Sequence, residues 1–379
     1  MSVVCAVAAI AIAAVLLSRH GSVGVMPPWR PPPLPAATGW RIEVTADGPQ
    51  HFGGHFSPGQ VFFVPAGAHF RVLAEPAGAT GMFVESTTSG AWDHEGGELN
   101  PPVAAPSGFR QDCRAPLVPG QHRIVWCQGD ADPKSLVRNP QAVGQAPALT
   151  VIVLMRADTH VQGDRTAVQV NGKSIGAYHD PALSSVRRVR ENVPQYQVPR
   201  YFALLTPRNA DLMLGPDFTF GQLIAFKDYH GPDGHKVYTT QRHTDIFPPR
   251  PELIDKLVKL RERLRSQGIK VTRFWLTSAF RTPEYNRSIG GAAYSRHCYG
   301  DAVDLVIDED GDKRMDDLNG DGKIDRKDGI IIGNACRELE AEGAVVPGGI
   351  GVYEWDSDDS VRSHVHIDCR GYISRWGQI

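Results

Sequence analysis

Hydrophobic positions along the chain change rhythm three times. Val3 to Leu17 is an uninterrupted apolar run, shorter than the roughly 20 residues that span a bilayer and closer to the core of a signal peptide. No Lys or Arg precedes it, and Ser18-Arg19-His20 follows where a small-residue cleavage site would stand. Residues 1–20 therefore read as an export signal or an uncleaved N-terminal anchor, and export places the remainder in the periplasm or cell envelope. Residues 21–39 are Pro-rich from Met26 to Pro35; proline fixes φ and lacks the N–H, so this is a stiff spacer.

From Trp40 to Ala157 short apolar runs alternate with turn residues: Arg41 to Thr45, Val61 to Val64, His69 to Leu73, His122 to Trp126 and Leu149 to Leu154. That spacing predicts an immunoglobulin-like β-sandwich over 40–157. Residues 158–250 read as a small β-rich connector, with Val170-Asn171-Gly172-Lys173 as a hairpin turn and runs at Tyr201 to Leu205 and Phe218 to Gln222. The rhythm then becomes helical. Leu253, Ile254, Leu257, Val258 and Leu264 form one stripe, with Pro251 at its start and Gly268 as its stop. Strands are expected at Ile269 to Leu276, Asp301 to Ile307, Ile350 to Tyr353 and His364 to Asp368, with a second helix from Lys327 to Glu342. Residues 251–379 are thus an α+β domain, and the whole chain is multidomain.

Composition sharpens this picture at two points. A net charge of −2 over 379 residues leaves no basic field to condense on nucleic acid or anionic lipid, so any membrane contact rests on the N-terminal segment; oligomeric state is not legible. Gly 39 and Pro 29 fit a turn-rich β architecture. The cysteines are Cys5, Cys113, Cys127, Cys298, Cys336 and Cys369. Cys5 sits in the apolar run, so the other five leave one thiol unpaired. Cys113 and Cys127 are spaced to close a loop in an oxidising compartment, and a Cys298–Cys369 pair stays open.

The candidate chemistry lies in three separated stretches: Ser278 to Asn286, Ser295 to Asp304 and His364 to Asp368. Catalytic zinc takes three protein ligands and accepts imidazole and carboxylate donors. His297, Asp304 and His366 fill that set, and Gly300 permits the tight turn that brings Asp304 back beside His297. On an extended strand His364, His366 and Asp368 share a face, so neighbours of a ligand are free to act as base or to orient it. A single histidine is more often a packed or surface residue, but the joint pattern Ser-x-His-x-x-Gly-x-Ala-x-Asp with a later Val-His-Ile-Asp is rarely accidental.

These residues resemble the zinc peptidase family of D-alanyl-D-alanine carboxypeptidases, D,D-dipeptidases and murein endopeptidases, which shares its fold with the hedgehog signalling domain. The resemblance covers roughly Pro251 to Trp376. It implies that His297, Asp304 and His366 hold catalytic zinc, that Arg281 lies near the scissile peptide, and that the substrate is a peptidoglycan stem peptide. Many members carry an acid three positions before the second histidine ligand; here that position is Ser363. The nearest substitute is His364, since related chains use the first histidine of His-x-His as base; Glu354, Asp358 and Asp359 are alternatives. The missing acid keeps a rival open: a non-catalytic, zinc- and calcium-stabilised binding module of the cell wall or extracellular space.

The segment from Asp308 to Asp328 carries nine acids against five bases. Asp317, Asn319, Asp321, Lys323 (through its carbonyl), Asp325 and Asp328 occupy the ligand positions of a calcium loop, with Gly322 at the turn position. It resembles EF-hand and dockerin loops, except that the last ligand is Asp rather than Glu. Asp308, Asp310, Asp312 and Asp316 begin a second, less regular set. Calcium here is expected to be structural.

Overall fold

The computed structural model describes residues 40–46, 50–56, 61–74, 81–85, 95–100, 103–105, 108–128, 148–214, 218–224, 226–230, 236–312, 314–353 and 363–377. The chain divides into residues 1–30 and 31–379, and every described residue belongs to the second unit. The expected export segment, the Pro-rich spacer and Glu354, Asp358 and Asp359 lie outside the described residues. Among those described, no helix is long and apolar enough to cross a membrane.

The N-terminal half contains two sheets. One orders its strands Gly53–Phe56, Trp40–Val44, His69–Ala74, Gly108–Arg114 and Glu98–Leu99, with Val103–Ala105 also on Gly108–Arg114. The other runs Ile246–Phe247, Tyr201–Leu204, Ala148–Arg156, Gly120–Gln128 and Gly81–Glu85, with Val61–Pro65 parallel to Ala148–Arg156. Ile42, Phe70 and Val72 of the first sheet share one buried cluster with Val64, Ile124, Leu149, Val151 and Val153 of the second. The second sheet draws Tyr201–Leu204 and Ile246–Phe247 from the stretch read as a connector. Gln50 ties the two regions: its buried amide donates to the carbonyl of Tyr201 at 2.8 Å and accepts from the Tyr201 N–H at 2.8 Å.

Two sequence readings change here. Cys113 is a free thiol inside this core, so it forms no bridge to Cys127; Cys298, Cys336 and Cys369 are free and buried as well. The Phe218 to Gln222 run is not a strand but leads into a 3-10 turn at Phe220–Leu223, because Thr219 and Gln222 cap each other's backbone. The Asn171-Gly172 turn joins Arg165–Val170 to Lys173–His179, both residues standing at positive φ, 51° and 74°, as that turn requires.

The C-terminal sheet orders Phe274–Ser278, Ala302–Ile307, His364–Asp368, Gly349–Tyr353 and Ser374–Trp376. Its pairings are antiparallel except the last. Two helices, Pro251–Ser266 and Arg326–Ala341, pack on each other, and the second covers the sheet. The first begins at Pro251, which has no N–H to strand at a helix start, and buries Leu253, Leu257, Leu260 and Leu264. Ile254 and Val258 are only half-buried, whereas Lys256, a cation, has no exposed surface. Its ammonium donates to Glu340 Oε1 at 2.6 Å and to the carbonyls of Val346 and Asp368 at 2.9 and 2.8 Å. The second helix starts with a reciprocal cap between Asp325 and Asp328 and lies close enough to Val352 that Gly329 has no room for a side chain.

Two stability measurements follow from this packing. Lys256→Met leaves Glu340 to Arg375 and the Gly348 N–H and leaves the Val346 and Asp368 carbonyls without the ammonium, and should cost at least about 1–3 kcal/mol in denaturant unfolding. Gly300 stands at φ 74° with the Pro248 carbonyl 2.2 Å from where a Cβ would be. Gly300→Ala should therefore lose at least about 1–3 kcal/mol by the same measurement, whereas Gly343→Ala, at φ 69° in open space, should lose only the conformational part.

Candidate metal centre

Strand register assembles the site. Asp304 sits directly opposite His366 in one antiparallel pair and opposite Ser278 in the other, and facing residues on neighbouring strands bring their side chains together. His297 comes from outside the sheet, on the short turn Arg296–Tyr299 that Gly300 ends in the left-handed conformation. The turn is fixed from both sides. Arg296, buried, donates from Nε to Asp301 Oδ1 at 3.0 Å and from Nη1 to the Gln195 carbonyl at 2.7 Å, and the Arg281 N–H donates to the His297 carbonyl at 3.1 Å.

Three donor atoms converge. His297 Nε2 and His366 Nδ1 lie 3.2 and 2.9 Å from Asp304 Oδ1, and one atom from each of the three residues lies within 4.8 Å of the others. Zinc bonds of about 2.0–2.1 Å at tetrahedral angles separate donors by roughly 3.3 Å, so the spacing suits that ion. The donor chemistry also fits. His297 Nδ1 meets the Ala279 carbonyl at 2.8 Å, so this nitrogen carries the proton and Nε2 turns a lone pair toward Asp304. Two acceptors facing each other call for a cation between them.

Burial, with the Arg281 charge beside it, lowers the His297 pKa to about 4 and keeps the ring neutral. Burial opposes ionisation of Asp304, yet the surrounding imidazoles of His297, His364 and His366 hold its carboxyl well below the ordinary range. Burial likewise opposes protonation of His366, but its hydrogen bonds to Asp304 and Asp368 outweigh this and raise its pKa.

Around this centre, Arg281 donates from Nη2 to Asp304 Oδ2 at 3.0 Å, while Ser278 Oγ accepts from its Nε and Nη2 at 2.9 and 2.7 Å. His364 Nε2 is 3.9 Å from Asp304 Oδ1, and its ring stacks on Tyr353, 4.6 Å between centroids and 19° between planes. Ser363, where an acid was expected, is buried. Sequence reasoning missed Ser278, Tyr353 and Trp376. Trp376 Nε1 donates to the Tyr353 hydroxyl at 2.8 Å, and the indole leans over His366 at 5.1 Å. The available signal was glycine at 349 and 351: a Cβ on Gly351 would fall 2.1 Å from the indole.

In the acidic insertion the carboxylates serve the backbone. Asp317 accepts from the N–H groups of Gly320, Asp321 and Gly322. Asn319 accepts from Asp321, and Asp321 from Lys323 and the Lys327 ammonium. Asp325 accepts from Lys327, and buried Asp328 from Leu318 and Asp325. Among the described residues the acids of this insertion that converge as a possible cation cluster are Asp308, Asp310 and Asp316. Three of the four acids expected in the second set are thus in that cluster, and the fourth, Asp312, is not: its exposed carboxylate accepts the Arg314 N–H.

Comparison with known proteins bears on the same region. No curated protein and no solved structure matches the chain. Residues 230–320, about a quarter of the chain, match the family model of Peptidase M15, a zinc-dependent metallopeptidase family. That stretch carries Arg281, His297 and Asp304.

Proposed function

We propose that the chain is an exported zinc peptidase that hydrolyses peptide bonds of peptidoglycan stem peptides, as a D,D-carboxypeptidase or a murein endopeptidase. The observation that carries this reading is the convergence of two imidazole nitrogens and one carboxylate oxygen on a common point, with an arginine and a third histidine beside them. His297, Asp304 and His366 would hold the ion. When bound, zinc supplies a Lewis acid that polarises the scissile carbonyl and makes water acidic enough to attack at neutral pH.

The chain's own groups do the rest. His364 takes the proton of the attacking water at Nε2 and returns it to the leaving amine. Tyr353 keeps that imidazole from rotating by stacking on it, and Trp376 in turn fixes Tyr353. Arg281, already aimed at Asp304, has donors left for a carbonyl oxygen that gains negative charge or for a substrate carboxylate. Calcium, bound by Asp317, Asn319, Asp321, Lys323, Asp325 and Asp328, would pin the insertion against the helix that starts at Arg326. Sequence spacing and Gly322 at φ 81° support this part.

Three outcomes test the proposal. His366→Ala and Asp304→Ala should lose zinc from the purified protein by elemental mass spectrometry. His364→Ala should keep zinc while release of muropeptides from purified sacculi falls about 10²–10⁴-fold; zinc with no cleavage by the parent chain would favour the binding-module reading. Calcium at about millimolar concentration should raise the melting temperature of the parent and leave that of Asp321→Ala unmoved.

A further inference from the structure

We infer that Asp368 is the positioning residue of the metal centre, holding the His366 ring so that Nδ1, and not Nε2, faces the ion; the inference rests on the zinc reading above. His366 Nε2 donates to Asp368 Oδ2 at 3.0 Å, while Nδ1 points the other way, 2.9 Å from Asp304 Oδ1. A flipped ring would turn carbon toward both carboxylates. The bond is also dry. Asp368 has no exposed surface, His366 is 6% exposed, and the Trp376 indole lies over it.

The surroundings are built to hold this one carboxylate. Asp368 Oδ1 accepts from the Gly349 N–H at 2.7 Å and the Arg370 N–H at 3.0 Å. The Arg370 guanidinium reaches both carboxylate oxygens, with Nε at 3.0 and 2.9 Å. Lys256 holds the Asp368 carbonyl. The backbone facing it has been cleared: a Cβ on Gly348 would fall 1.7 Å from the Asp368 carbonyl oxygen, and one on Gly349 would fall 2.4 Å from Oδ2. A carboxylate so fixed cannot follow the imidazole, so the imidazole follows it. It also draws the Nε2–H outward, which makes the opposite nitrogen a better donor to a cation. A purely structural aspartate, present only to tie Gly349 to Arg370, would have no need of Nε2.

Two measurements decide between these roles. In Asp368→Asn the amide keeps the size and loses the charge. Zinc affinity, read by competition with a chromogenic chelator on variant protein whose metal-free circular dichroism shows the parent's fold, should fall about 10–100-fold. In the cadmium-substituted parent chain, one-bond metal–nitrogen coupling in the NMR spectrum should appear at His366 Nδ1. Unchanged zinc affinity in folded Asp368→Asn, or coupling at Nε2, would overturn the inference. Because the coupling is read on the parent, it decides the matter even if the variant does not fold. A parent that binds neither zinc nor cadmium would instead bring down the metal-centre reading on which the inference stands.

Discussion

A single buried carboxylate governs the C-terminal domain. Asp304 is 6% exposed and meets His297, His364, His366 and Arg281. Taking a carboxylate out of water costs several kcal/mol unless partners and hydrogen bonds replace the solvent. The strand Ala302–Ile307 cannot bury Asp304 unless the neighbouring strand presents His366 in register and the Arg296–Tyr299 turn delivers His297. The constraint acts in both directions: geometry that satisfies the charge also gathers the donors a divalent cation would take. Stability and chemistry are therefore settled by the same contacts.

The second constraint is space. The strand Gly349–Tyr353 is glycine at 349 and 351 because an indole and a carboxylate press against it from the site side. Farther along the same strand, Val352 faces Gly329 of the helix Arg326–Ala341. With both faces pressed, the strand has little freedom to shift, and the aromatic stack of His364, Tyr353 and Trp376 inherits that rigidity.

Periodicity made the skeleton of this domain legible. The helix expected from Pro251 runs Pro251–Ser266, the one expected from Lys327 runs Arg326–Ala341, and the alternation at His364 to Asp368 is a strand that turns His366 and Asp368 to one face. Spacing also named the three residues that meet. What stayed hidden depends on contacts between distant segments. Lys256 reads as a surface residue by its letter and is buried only because Glu340 and two carbonyls await it. Tyr353 and Trp376 are ordinary strand aromatics until the sheet brings them together. Asp312 is expected alongside Asp308, Asp310 and Asp316, and only the fold of the loop leaves it out of their cluster. Cys113 and Cys127 suggested a bridge because distance along the chain carries no information about which way a side chain points.

The parallel pairing of Ser374–Trp376 with Gly349–Tyr353 has a temporal side. During synthesis, Asp304 leaves the ribosome long before His366 and longer still before Trp376. A nascent chain that stops in between holds the acid with His297 and Arg281 but without His366, so burying it there would leave its charge less fully compensated. The centre is complete only once the strand Ser374–Trp376 has been made, because its indole closes over His366 and holds Tyr353.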